Sequence, residues 1–166
     1  MPKPSYSPFQ IAVHRLVSRP AFSHFLARNL HKFDTLALKL SGGRQTLTGI
    51  FTGLPVLVLH TFGAKSGLPR RNPLVYLRDD QHPGSFALVA SNFGQRHSPA
   101  WYYNLKAEPH CTCEIDGHSA HYVAREASGA EYDRFWQQAQ ETYMGYALYQ
   151  QRTGGRHIPI LILSPE

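Results

Sequence analysis

The sequence predicts a mostly β fold with flanking helices, an α+β arrangement in which a β-barrel or strongly coiled sheet forms the centre. Three observations carry that reading. Short apolar runs recur at close spacing from residue 46 onward, parted by Gly, Pro and Asp turn signals. Helical periodicity is confined to the N-terminal forty residues and to stretches opened by Ser98-Pro99 and Ser128. A chain of 166 residues with 42% hydrophobic side chains suffices for one compact core.

Residues 9–18 and 21–40 read as two helical pieces parted at Arg19-Pro20. Phe22, Phe25, Leu26, Leu30, Phe33, Leu36, Ala37 and Leu40 recur at three- and four-residue steps, with Arg28, His31, Lys32 and Lys39 on other faces. A basic amphipathic helix of this kind packs on its own domain or lies on an anionic membrane. Ser41-Gly42-Gly43 ends the segment, dividing the chain into helical residues 1–40 and a barrel domain over residues 41–166.

Within that domain, residues 54–61 form an apolar, β-branched run, followed by a turn at Gly63-Ala64-Lys65-Ser66-Gly67. Residues 72–77 and 85–90 are further strands, separated by a turn at 79–84. Ser98 is placed as a hydroxyl N-cap with Pro99 at the first helical position, for a helix carrying Trp101, Asn104 and Leu105. Residues 110–126 read as a hairpin turning at Asp116-Gly117. Ser128 and Glu131 are spaced as a capping box for a helix of about twenty residues. A strand over 157–163 closes the chain.

Charge is unevenly placed. Residues 1–78 hold eleven Lys/Arg against the single acid Asp34, whereas residues 79–166 hold six against ten acids. A basic half attracts phosphate, polycarboxylate, an anionic membrane or nucleic acid. Nucleic acid fits poorly, because the bases lie in a helix and a turn without the aromatics of RNA-binding motifs. The two cysteines, Cys111 and Cys113, share one strand face; no second Cys/His cluster accompanies them, so no metal site is expected. With no disulfide framework and no signal peptide, the expected location is the cytoplasm, with peripheral contact at the inner membrane face as the alternative for residues 1–40.

Three constellations carry chemistry. In the first, glycines at 63 and 67 let backbone N–H groups converge on an anion, and Lys65, Ser66, Arg70 and Arg71 add donors. It is not a P-loop, since no Gly lies six residues before Lys65. In the second, Ser91 leads into a helix where Trp101 and Asn104 share a face. In the third, Tyr143, Tyr146 and Tyr149 stand at steps of three. Buried phenols need partners for their hydroxyls, so such a stripe suits a wet cavity.

Taken in order, Pro55, Gly63, Lys65, Ser66, Gly67, Pro69, Arg70, Asn72 and Pro73, then Ser91, then Pro99, Trp101, Tyr102, Asn104, Leu105, Ala107 and Pro109, then the three tyrosines, resemble the deazaflavin (F420)-dependent nitroreductase and quinone reductase family. The resemblance runs from about residue 41 to the last strand. It implies a split β-barrel like that of FMN-binding reductases, and coenzyme F420, a deazaflavin with a phosphate and an anionic tail. It further implies that Ala64, Lys65, Ser66, Arg70, Arg71 and Asn72 meet the anionic end. Pro73, Leu74, Val75, Val89, Ala90, Ser91 and Asn92 would flank the ring, and Ala100, Trp101, Tyr102, Tyr103 and Asn104 would cover it. Tyr146 and Tyr143, with Ser91, would place the acceptor and supply a proton. The chain departs from the family at Ala64, at Asn92-Phe93 and at Val75.

The expected function is hydride transfer from reduced F420 to a quinone, nitroaromatic or similar conjugated small molecule, by a monomer or homodimer. The alternatives are an FMN-dependent reductase and a non-catalytic flavin or haem carrier on the same barrel.

Overall fold

A computed structural model describes residues 6–17 and 53–166. The expected second helical piece, the break at Arg19-Pro20 and the stop at Ser41-Gly42-Gly43 lie outside the described residues. The first piece is a helix, α1 (Pro8–Val17). Ser7 and Gln10 cap it reciprocally: the Ser7 N–H donates to Gln10 Oε1 at 2.9 Å and the Gln10 N–H to Ser7 Oγ at 3.2 Å.

Seven antiparallel strands follow: β1 (Val56–Phe62), β2 (Pro69–Val75), β3 (Leu77–Arg78), β4 (Phe86–Val89), β5 (His110–Ile115), β6 (His118–Glu126) and β7 (Ile160–Pro165). They form one sheet in the order β2-β1-β5-β6-β7-β4-β3. Four strands lie between β2 and β4 in that order, yet the two touch, so the sheet curls into a half-barrel. The expected fold class holds.

The curl explains which strands alternate and which do not. On the inner face Leu57, Leu59, Phe86, Leu88, Leu161 and Leu163 pack with Trp101 and Leu105. On the opposite face Ala87, Val89, Ile160 and Ile162 meet Phe135, Ala139 and the three tyrosines. β4 and most of β7 are covered on both faces, which is why every residue of Phe86–Val89 and Ile160–Leu163 is apolar and buried. The β5–β6 hairpin turns as expected: Ile115 faces His118, with Asp116 and Gly117 at φ 51° and 81°.

Three helices flank the described sheet: α2 (Ala100–Ala107), α3 (Gly129–Thr142) and α4 (Gly145–Arg152). Two capping expectations about them fail. Pro99, not Ser98, occupies the cap of α2, and Ser98 Oγ instead accepts from Arg156 Nη1 at 3.1 Å. Ser128 precedes α3 but makes no side-chain cap; Glu131 turns to Arg125 through two hydrogen bonds of 2.6 and 2.7 Å. An ion pair with a guanidinium outcompetes the weaker reciprocal cap.

The expected twenty-residue helix is two helices. Tyr143 stands at φ −147° and ψ 114°, extended, and the chain turns there before α4 begins. Gly145 permits the corner, since a Cβ on it would lie 2.2 Å from the Tyr143 ring. α1 is fastened beside this corner, where the Tyr6 hydroxyl donates to Thr142 O at 2.6 Å.

Candidate active site

The β1–β2 turn presents charge. Lys65, Ser66, Arg70 and Arg71 are all exposed. Arg70 Nη2 donates to Ser66 Oγ at 3.3 Å, and neither Lys65 nor Arg70 is paired with a carboxylate among the described residues. The backbone of the turn is otherwise engaged. The N–H groups of Gly63, Ser66 and Gly67 donate to Leu68 O, Gly63 O and Gly63 O, and that of Ala64 donates to Asn104 Oδ1 at 3.0 Å. The expected convergence of backbone donors on an anion is therefore not formed, because a tight turn satisfies its own amides first. Anion recognition here rests on side chains.

Asn104 is buried and holds the turn. Its amide donates to Thr61 Oγ1 at 3.1 Å and accepts from Ala64 N, so helix α2 and the β1–β2 hairpin are stitched together by one side chain. Trp101 is 6% exposed and belongs to the inner core. Tyr102 donates to Glu126 Oε2 at 3.1 Å, shared with Lys106 at 3.2 Å; burial first and Glu126 second push its phenol up. Tyr103 is 51% exposed at the rim, beside Ala100 at the helix start.

Strand alternation sorts the residues expected beside the ring into two groups. Arg70, Asn72 and Leu74 pair with Thr61, Leu59 and Leu57 and share their face, whereas Arg71, Pro73 and Val75 point the other way with His60, Val58 and Val56. Arg71 meets Glu114 at 3.4 Å. Leu74 and Ala90 join the inner cluster, while Val75 and Val89 join the cluster that holds Tyr143, Tyr146 and Tyr149. Both faces are filled by packed side chains, and of the residues expected beside the ring Val75 and Val89 stand on the tyrosine side.

The tyrosine corner is dense. The three phenols are 7%, 6% and 3% exposed. Their ring centroids lie 5.5 Å, 6.0 Å and 6.2 Å apart, and the Tyr143 and Tyr149 hydroxyls are 3.1 Å from one another. Because the helix breaks at Tyr143, the three converge on one point rather than drifting around a single helix. Burial, then the Tyr143 phenol, pushes Tyr146 well up from the usual phenol value, so it stays protonated at physiological pH.

Ser91 sits on the segment that leads from β4 to α2. It is 8% exposed, with φ −70° and ψ −31°, and is followed by one left-handed turn, Asn92–Gly94, with φ of 49°, 55° and 78°. Asparagine tolerates that region; phenylalanine does not, at a cost of about 1 kcal/mol or more. Phe93 packs edge-on to Tyr149, with centroids 6.1 Å apart. Gly94 is required by close approach, since a Cβ would come within 3.0 Å of Tyr149 Cα. Asn92 Nδ2 donates to His97 O at 3.0 Å.

The sequence profile of the F420H(2)-dependent quinone reductase family matches residues 33–165. The chain belongs to that family. It is 37% identical over 113 residues to an F420H(2)-dependent quinone reductase of Mycobacterium tuberculosis, covering 66% of this chain and 73% of the relative. Among solved structures, an F420-H2 dependent reductase superposes with a TM-score of 0.59 at 37% identity, over 66% of this chain and 94% of that one. A second, described as a domain-swapped dimer, gives the same score and identity over 80% of its length.

Within the family frame, one residue that the sequence reading passed over organises the Ser91 segment. Arg156 donates to Ala90 O, Ser91 O, Gln95 O and Ser98 Oγ at 3.0–3.4 Å. Gly145 was likewise unmarked, because nothing in the residue spacing signals the chain reversal at Tyr143 that it permits.

Proposed function

We propose that the protein is an oxidoreductase that takes hydride from reduced F420 and delivers it to a quinone. Family membership supports the reaction class, and the observation that carries the site is two-sided. Exposed, carboxylate-free Lys65 and Arg70 stand at one end, and a buried corner of three phenols at the other. That donor set fits a coenzyme with an anionic tail and a flat ring. When bound, F420 supplies the hydride.

The chain's own residues then have separable tasks. Lys65, Arg70 and Ser66 bind the anionic end. Asn104 fixes the turn that carries them. Val75, Val89 and Pro73 bound the ring, and the packed corner excludes water from the transfer. Reduction of a quinone to a hydroquinone takes one hydride and one further proton. Tyr146 keeps its proton until an acceptor oxygen turns basic, and with Tyr143 and Ser91 it orients that oxygen.

The test is a titration of the purified protein with F420, FMN and haem, followed by fluorescence and absorbance, then oxidation of reduced F420 by a soluble quinone. Saturation by F420 with quinone-dependent oxidation is the expected result. Tight binding of FMN or haem with none of F420 would overturn the reading.

A peripheral membrane contact suits a lipid-soluble acceptor. No helix among the described residues is long and apolar enough to cross a membrane. On α1, however, Phe9 and Leu16, seven residues apart on one face, are 62% and 44% exposed, a surface able to rest on lipid. Co-sedimentation with anionic vesicles at low salt is expected; none at any salt would remove this contact. The domain-swapped relative supports a homodimer, read by light scattering.

A further inference from the structure

We propose that Arg156 is a positioning residue for the acceptor end of the site, clamping the backbone on both sides of Ser91 so that its Cα–Cβ bond, from which the hydroxyl is presented, is held in one place. The inference rests on the reading of Ser91 as part of that site. The guanidinium makes six hydrogen bonds, five of them to the 90–98 segment and one to its neighbour His157 O. Nη1 reaches Ala90 O at 3.4 Å and Nη2 reaches Ser91 O at 3.0 Å. Those carbonyls belong to the two peptide planes that flank Ser91. With both planes held, φ and ψ of Ser91 are fixed, and only the side-chain torsion is left to move Oγ.

The remaining bonds hold the far side of the strained turn. Nε and Nη2 both donate to Gln95 O, at 3.2 and 3.1 Å, and Nη1 donates to Ser98 Oγ at 3.1 Å. The left-handed run at Asn92, Phe93 and Gly94 is thus gripped before and after, which is what a strained segment needs to persist. All these acceptors are neutral, and Arg156 is in no ion pair with a carboxylate among the described residues. Its role is therefore not that of a salt bridge. A planar fork with five N–H groups is matched to several carbonyls at once; an ammonium with three donors is not.

The experiment compares Arg156→Lys and Arg156→Ala with the parent in three readouts. Coenzyme affinity is taken from F420 fluorescence, acceptor chemistry from single-turnover oxidation of reduced F420 by a soluble naphthoquinone, and local order from amide exchange at Gly94 and Gln95. Both variants should bind F420 within about 3-fold of the parent and transfer hydride about 10- to 100-fold more slowly, the scale of a misplaced reacting group. Amides of the 92–95 turn should exchange faster while those of β5 and β6 do not change. Added guanidinium ion should restore part of the rate in Arg156→Ala, and ammonium should not. A lysine variant at the parental rate would show that charge alone is needed and overturn the clamp. So would slowing that only tracks lost coenzyme affinity or a general rise in exchange. If the parent itself fails to oxidise reduced F420 with quinones, the functional reading falls and this role falls with it. A working parent with unaffected variants removes Arg156 alone.

Discussion

Lys65 and Arg70 are long cations on an exposed turn, so an anion bound there keeps part of its hydration and feels added salt. Each charge-assisted hydrogen bond of this kind contributes roughly 1.5–3 kcal/mol. Replacing either residue by Ala should weaken F420 binding about 10- to 100-fold, with a smaller loss at high salt, measured by fluorescence titration. Parental affinity in both variants would place the anionic end elsewhere. Tyr146 tests the opposite end. Its ring is 6% exposed and packs edge-on to both neighbouring phenols, so Tyr146→Phe keeps the apolar contact and removes only the hydroxyl. If that hydroxyl orients the acceptor or gives it a proton, single-turnover oxidation should slow about 10²- to 10⁴-fold at similar coenzyme affinity. An unchanged rate would leave Ser91 or water as the proton source.

The corner between α3 and α4 decides whether those phenols meet at all. Three-residue spacing drew attention to Tyr143, Tyr146 and Tyr149, but not to their convergence, because nothing in the pattern marks the chain reversal at Tyr143. The reversal depends on Gly145, whose missing side chain leaves room for the Tyr143 ring. Gly145→Ala should therefore destabilise the fold by about 1–3 kcal/mol, read by urea unfolding. In a Tyr143→Ala background the added methyl meets no ring, and the same substitution should cost much less. Equal costs in the two backgrounds would mean that backbone geometry, not the ring, requires glycine. The strands were legible for a simpler reason: β4 and the Ile160–Leu163 part of β7 are apolar at every position because both faces are covered. The same alternation that reveals strands divides the residues expected to flank the ring between two faces. Val75 and Val89 lie on the tyrosine side, and Leu74 and Ala90 do not. Arg156 was the least legible, a lone base after Gly154-Gly155 whose partners lie about sixty residues earlier.

At the scale of the molecule, one buried carboxylate ties the sheet edge to the helical layer. Asp79 follows β3, and its side chain is 1% exposed. It accepts from Arg134 of α3 at 3.0 Å and from the Gln81 N–H at 3.0 Å, and lies 3.0 Å from His82 Nδ1. Burial pushes the carboxyl up, but the hydrogen bonds from Arg134, His82 and Gln81 outweigh it and hold it at about 2, below the usual 3.8. A group whose folded value is depressed adds stability above its unfolded value and loses it as pH falls through the folded one. The contribution is thus complete above about pH 4 and disappears towards pH 2, and its size is about 2 kcal/mol. Asp79→Asn removes the titrating group. The stability difference between parent and variant, from urea unfolding at a series of pH values, should be constant from pH 7 to about 5 and shrink by about 2 kcal/mol by pH 2. Because Arg134 lies on α3, next to the Phe135 that fills the core beneath the tyrosines, the parent should also lose quinone turnover reversibly as this link is protonated. A stability gap that stays the same at pH 7 and pH 2 would show that Asp79 shapes the turn at 79–84 sterically and carries no acid-labile link between sheet and helix.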